Sequence, residues 1–135
     1  MSFYQKITMM QEPFDGGLDE KQRSKIIFNI LATKTPSDTF LEEIANKLET
    51  AGVGTRNTSI FVSSSAVIPP GSGPYLSITE TGGTGPLRIH NSASPAQQRP
   101  GAQIVARAGD YSTARTMARA AYDALVVVVN QTLTT

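Results

Sequence analysis

Cysteine and tryptophan are absent from the 135-residue chain, and histidine occurs once, as His90. Without cysteine there are no disulfides, no thiolate metal ligands and no cysteine nucleophile. A single histidine does not supply the several ligands at fixed spacing that a metal site draws on, so no metal and no cofactor is expected. An excess of either charge is missing as well. Twelve Lys+Arg against 11 Asp+Glu leave a formal net charge of +1, so nothing global directs the chain to nucleic acid or to a membrane surface. Long apolar runs are also lacking. The longest, Ala124 to Val129, is far short of the roughly 20 residues that span a bilayer. The opening MSFYQKITMM is interrupted by Gln5 and Lys6 and does not read as a secretory leader.

What is present fits one domain over residues 1–135, with enough chain to bury a core and a hydrophobic content of 39%. The charge is unevenly placed. Residues 1–50 carry eight acids and six bases, whereas residues 51–135 carry three acids and six bases, all arginine. That asymmetry reads either as a basic patch or as scattered, solvated arginines.

Two strand patterns open the chain. Phe3 to Met10 places Phe3, Ile7 and Met9 on one face, and Lys25 to Ala32 alternates Ile26, Phe28 and Ile30 against Lys25 and Asn29. Turn chemistry at Pro13, Asp15, Gly16 and Gly17 joins them into a long antiparallel hairpin over 3–33. TKTPS, 33–37, is a polar break. Thr39 to Ala51 is an amphipathic helix with Phe40, Leu41, Ile44, Ala45 and Leu48 on one face. Thr39 and Glu42 have capping-box spacing, and Gly52 supplies the stop. Glu42 and Glu43 point about 100° apart and read as a solvated face.

Short strands follow at 57–63, expected to be central, at 75–80 and at 102–108, where Ile104 and Ala106 oppose Val105 and Arg107. Between the last two lies the Gly/Pro/Ser-rich stretch 81–101, TGGTGPLRIHNSASPAQQRPG, which reads as a long loop. Asp110 caps a final helix over 111–128 whose buried stripe is Ala114, Met117, Ala118, Ala121, Leu125 and Val128. The β-branched run from Val126 to Val129 suits fraying or a strand. The expected architecture is an α/β (α+β) fold: a mixed, mostly antiparallel sheet with a long β-hairpin, flanked by two helices.

No catalytic constellation is legible. TGGTG lacks a following Lys-Ser/Thr and leads into Pro86, not into a helix N-terminus, so it does not read as a phosphate loop. His90 has Ser92 and Ser94 nearby, but no nucleophile turn, carboxylate orienter or oxyanion hole has a signature here. A small hydrolase built on His90 is therefore the remote alternative. Arg88 and Arg99 fit bidentate contacts to a partner's carboxylates or plain solvation, and both readings stand.

The segments YLSITETGGTGP, IHN and QRPGAQIVARAGDYSTARTMARAAYDAL, spanning Tyr75 to Leu125, resemble the tail terminator proteins of long-tailed bacteriophages, also known as minor capsid or tail completion proteins. The helix from Thr39 to Leu48 resembles that family's first helix. FYQKITMMQEPFDGGLDEKQRSKIIFNILA resembles a stretch that the family carries after its long helix, yet here it comes first. The order therefore reads as a circular permutation with its new join at 33–37. Such a permutation requires termini that lie close together.

The resemblance implies a virion structural protein of the tail and neck, assembled in the host cytoplasm, and no enzyme. It implies a homo-oligomeric, hexameric ring that docks on the tail tube protein, ends tube polymerisation and offers a surface to head connector proteins. DNA would pass through the lumen without sequence-specific binding, and a strong basic patch would hinder its passage. A head-tail joining protein or a tail tube subunit is the alternative within that class. The candidate interface residues are Arg88, His90 and Arg99 of the 81–101 stretch, with Asp15 and Asp19 of the acidic hairpin tip.

Overall fold

Alternation in β3 sets the pattern for the whole molecule. In the computed structural model, Ser24, Ile26, Phe28, Ile30, Ala32 and Lys34 are buried, while the five residues between them are half-buried on the other face. The structure describes residues 2–18, 22–35, 39–62, 71, 73–88 and 95–133, with side chains at all of these except 2, 83–88 and 95–97.

The elements run β1 (Ser2–Met9), β2 (Phe14–Leu18), β3 (Ser24–Lys34), α1 (Phe40–Thr50), β4 (Ile60–Val62), β5 (Tyr75–Arg88), β6 (Pro95–Ala108), α2 (Tyr111–Val126) and β7 (Val129–Leu133). They build one seven-stranded sheet in the order β4-β5-β6-β3-β1-β7, with β2 also paired to β3. Every pairing is antiparallel except β4 with β5. The mixed, mostly antiparallel sheet with two helices matches the architecture expected from the sequence.

Both helices lie on one face. Buried residues of β3 meet buried residues of β6 and β5 in register, Ile26 opposite Ala106 and Phe28 opposite Ile104, with Ile104 opposite Ile78. Those rows join one core cluster with Phe40, Ile44, Ala45 and Leu48 of α1 and the α2 stripe Ala114, Met117, Ala118, Ala121 and Leu125, continued by Val128. The α2 residues are those expected, and their small size brings the helix close to the sheet. Tyr122 adds an edge-on ring contact to Phe28 at 5.7 Å. Helix α1 touches β4 and β5 near one sheet edge and β7 at the other, so the sheet curls around its helices.

Several expectations need correction. The N-terminal hairpin has an extra element: after Met9 the chain leaves β3, passes Pro13, and returns to it as β2. In β1 the buried residues are Tyr4 and Ile7, not Phe3, because a register shift between Tyr4 and Lys6 inserts a residue and resets the alternation. The break at 33–37 starts too early, since Thr33 and Lys34 still belong to β3. Strand 57–63 shrinks to Ile60–Val62 and sits at the sheet edge, not its centre. Thr39 makes no side-chain cap bond, so the capping box with Glu42 does not form.

The largest correction concerns 81–101. Most of that stretch is strand: β5 runs to Arg88 and β6 starts at Pro95, paired through Thr81↔Gly101, Thr84↔Arg99, Leu87↔Gln97 and Arg88↔Pro95. Three register shifts along this pairing absorb the glycines and prolines that suggested a loop. Residues 89–94, His90 among them, lie outside the described part of the chain.

The two chain ends meet as neighbouring strands. Ser2 is the register partner of Leu133 and Phe3 of Thr132, which is the proximity a permuted order requires.

Asp110 caps α2 as expected. Its carboxylate accepts from the Thr113 hydroxyl at 2.7 Å and from the Thr113 N–H at 3.1 Å. These two bonds, the hydroxyl first, hold the Asp110 carboxyl below its ordinary range. A depressed folded-state value means the cap stabilises fully above the unfolded pKa of about 3.9 and loses that contribution as pH falls through the folded value. Asp110→Ala will therefore lower the melting temperature at neutral pH. Its deficit relative to the parent chain will shrink in acid, as thermal scans from pH 7 down to about pH 2 will show.

Candidate assembly surfaces

The face of the sheet opposite the helices carries its own composition. By register it presents Lys6 and Thr8 from β1, Lys25, Ile27, Asn29, Leu31 and Thr33 from β3, Arg99, Gln103, Val105 and Arg107 from β6, and Tyr75, Ser77 and Thr79 from β5. Its middle is mixed, with Ile27, Leu31 and Val105 beside Asn29, Gln103, Ser77 and Thr79. Lys25 lies opposite Arg107, whose guanidinium sits 5.4 Å from the centre of the Tyr75 ring.

Two strand edges complete the picture. Strand β4 pairs β5 only at Leu76, Ser77 and Ile78, so β5 from Thr79 to Arg88 has no strand on that side among the described residues. Strand β7 is the outermost strand at the other end, with Val129 58% exposed beside exposed Val126 and Val127. Beyond Gln98, which pairs with Lys34, β6 also has no β3 partner, so β5 and β6 continue as a two-stranded arm. Unpaired edges of this kind are templates for pairing with another chain.

The candidate interface residues are scattered across these surfaces. Arg88 is the last residue of β5, in register with Pro95. Arg99 stands on the open face at the root of the arm, half-buried and in register with Thr84. Asp15 is exposed in β2, and its carboxylate accepts from the Gly17 N–H at 2.8 Å, which fixes the turn. His90 and Asp19 lie outside the described residues. Asp15 pairs with Ile26, which pairs with Ala106, seven positions along β6 from Arg99. At about 3.3 Å per residue that offset is roughly 23 Å, so Asp15 and Arg99 are not brought together within one chain.

No protein-family model, no curated protein and no solved structure matches the chain.

Neither of the two cavities with a described lining offers an acid–base pair. One, of about 450 Å³, lies between the end of α1 and the start of α2 and is lined by Val53, Pro74, Ser112, Thr113, Thr116 and Met117, with Gly52 and Ala120. The other, of about 610 Å³, is lined by Met10, Gln11, Asn29, Ile30, Leu31, Thr81 and Gly101. No side chain lining either is a carboxylate, an imidazole or an amine. Among the described residues no three His, Asp or Glu gather as a metal site. No helix among them is long and apolar enough to cross a membrane.

One polar cluster escaped the sequence reading. Glu43, expected on a solvated face, is fully buried. Its Oε1 accepts from the Tyr4 hydroxyl at 2.9 Å and lies 4.0 Å from Nζ of Lys34, also fully buried. Lys34 Nζ further donates to the Thr35 carbonyl at 2.9 Å and to Gln98 Oε1 at 3.3 Å, and stands 5.7 Å from the centre of the Tyr4 ring. Burial first, and then the Glu43 charge, push the Tyr4 hydroxyl far above the usual phenol range, so it stays a donor. Two signals in the sequence pointed here. Glu43 falls three residues after Phe40 on the apolar stripe, and Lys34 continues the alternation from Ile26 to Ala32.

This cluster ties the start of β1, the end of β3, the root of the arm and α1 together. Glu43→Ala leaves the Lys34 charge buried without its carboxylate and should destabilise by about 3–5 kcal/mol. Tyr4→Phe should remove about 1–3 kcal/mol. The double variant Glu43→Leu/Lys34→Met should recover most of the Glu43→Ala loss, because no charge remains to be desolvated. Urea denaturation of the three variants gives the ranking.

Proposed function

We propose that the chain is a tail-terminator-like virion protein that closes into a ring, caps the phage tail tube and offers a surface for head joining. The observation that supports this reading most is the β5–β6 arm. It carries part of the stretch that resembles the family, and among the described residues one edge of β5 from Thr79 to Arg88 has no strand partner. With β7 open at the far end of the sheet, one protomer offers two different edges. A contact from one edge to the other is head-to-tail, and head-to-tail contacts close into rings when the rotation allows.

The neighbouring ends support the permuted order. With Ser2 beside Leu133, an uninterrupted chain would run from β7 into β1 as a hairpin, the order in which the family carries its C-terminal stretch. On this reading the protein is hexameric and contacts the tube protein and head connectors, and DNA passes through the lumen. The acidic hairpin tip and the arginines of the arm meet between protomers, in keeping with the separation of Asp15 from Arg99 within one chain.

Electron microscopy and mass measurement of the purified protein test the assignment. Discrete single rings are expected. Continuous stacks would indicate a tube subunit instead, and a monomer at high concentration would remove the ring. Charge reversal at Asp15 and Asp19 should abolish ring closure, and combining it with Arg99→Glu should restore it. Rings that persist in the Asp15/Asp19 variant would exclude that contact.

A further inference from the structure

The near-neutral chain is sorted by face. Among the described residues, the open face of the sheet holds four cations, Lys6, Lys25, Arg99 and Arg107, and no carboxylate. The described acids all lie elsewhere. Glu42, Glu43 and Glu49 are on α1, and Asp123 and Glu12 gather around Arg119 of α2. Asp110 caps α2, while Asp15 and Glu80 have the register of buried Ile26 and Ala102.

We infer that this open face is a contact surface for the phosphate backbone of nucleic acid, read by charge and without sequence preference. Three observations carry it. The sign is uniform among the described residues, so an approaching polyanion meets cations and no described carboxylate. The cations stand at both ends of the face: Arg107 and Arg99 are eight residues apart on β6, roughly 26 Å, which is the length of several successive phosphates on one strand. Between them Ile27, Leu31 and Val105 alternate with Asn29, Gln103, Ser77 and Thr79, and the latter are side chains of the kind that bond phosphate and sugar oxygens. Charge complementarity thus commits the face to a polyanion. The cations with the amides and hydroxyls among them favour a nucleic-acid backbone; an acidic protein, to which Ile27, Leu31 and Val105 offer apolar contact, is the alternative that poly-glutamate separates. The inference does not depend on ring formation, because a single chain carries the whole face; in a ring it requires this face to lie outside the lumen, where a strong basic patch would hinder DNA passage.

Anisotropy titration of a labelled duplex of about 30 base pairs, at salt from about 20 to 200 mM, tests it. The parent protein should bind, with affinity falling steeply as salt rises. Lys6→Glu/Lys25→Glu should weaken binding at least tenfold and reduce the log–log salt slope by about two. Lys47→Glu/Arg119→Glu, on the helix side, changes net charge equally and should weaken it by less than about threefold. If the first pair unfolds, Lys6→Gln/Lys25→Gln reads the same slope. No duplex binding at the lowest salt overturns the inference, as does equal loss in both charge-matched pairs. Poly-glutamate binding as tightly as duplex replaces nucleic acid with an acidic protein. Ring images separate the two readings. Rings without duplex binding sink this inference alone, and face-dependent binding without rings sinks the ring alone.

Discussion

The buried contact of Glu43 with Lys34 and Tyr4 is the constraint on which the register of the sheet depends. Taking two charges out of water costs several kcal/mol per ion, and only good geometry with further hydrogen bonds offsets it. Here the offset comes from four chain segments at once: the Tyr4 hydroxyl on β1, the Thr35 carbonyl after β3, Gln98 on β6 and Glu43 on α1. Tyr4 and Lys34 are direct register partners. A one-residue slip of β1 would turn Tyr4 to the open face and strip Glu43 of its donor. The register shift after Tyr4 follows from this, since Tyr4 and Ile7, three residues apart, must both face the helices.

That dependence reaches the ends of the chain. Strand β1 is held between β3 and β7, so the position of β7, and with it the closeness of Ser2 and Leu133, rests on β1 being locked. The same cluster fixes the root of the arm through Gln98, one residue from Arg99.

Sequence periodicity captured what local patterning controls. The alternation in β3 and β6 and the α2 stripe from Ala114 to Leu125 are as read, because each follows from one element burying one face; Val128 is buried too, but beyond the helix, which ends at Val126 and not at 128. What was missed was set by pairing partners far away in sequence. Glycines and prolines in 81–101 suggest a loop, yet register shifts let the β5–β6 pairing continue past them, with Pro86 falling between the paired residues Thr84 and Leu87. Strict alternation places Phe3 in the core, and an inserted residue turns Tyr4 there instead. Charge alone places Glu43 in water, and its position on the stripe buries it. Of the candidate interface residues, Arg99 and Asp15 have defined places, but no single-chain pattern states which residue of a neighbour they would face.

Net charge conceals the arrangement that register produces. Lys25 and Arg107 come from opposite halves of the chain and become direct neighbours only when β3 and β6 pair. The result bears on how copies of the chain can meet. A two-fold contact through the open face would press this cationic surface against its own copy, with no described carboxylate to answer it. Such a contact is electrostatically unfavourable, whereas the edges of β5 and β7 differ from each other, so that a contact between them would be head-to-tail. A head-to-tail contact of the kind proposed would bury strand edges and not the described residues of the open face, whose cations complement a polyanion.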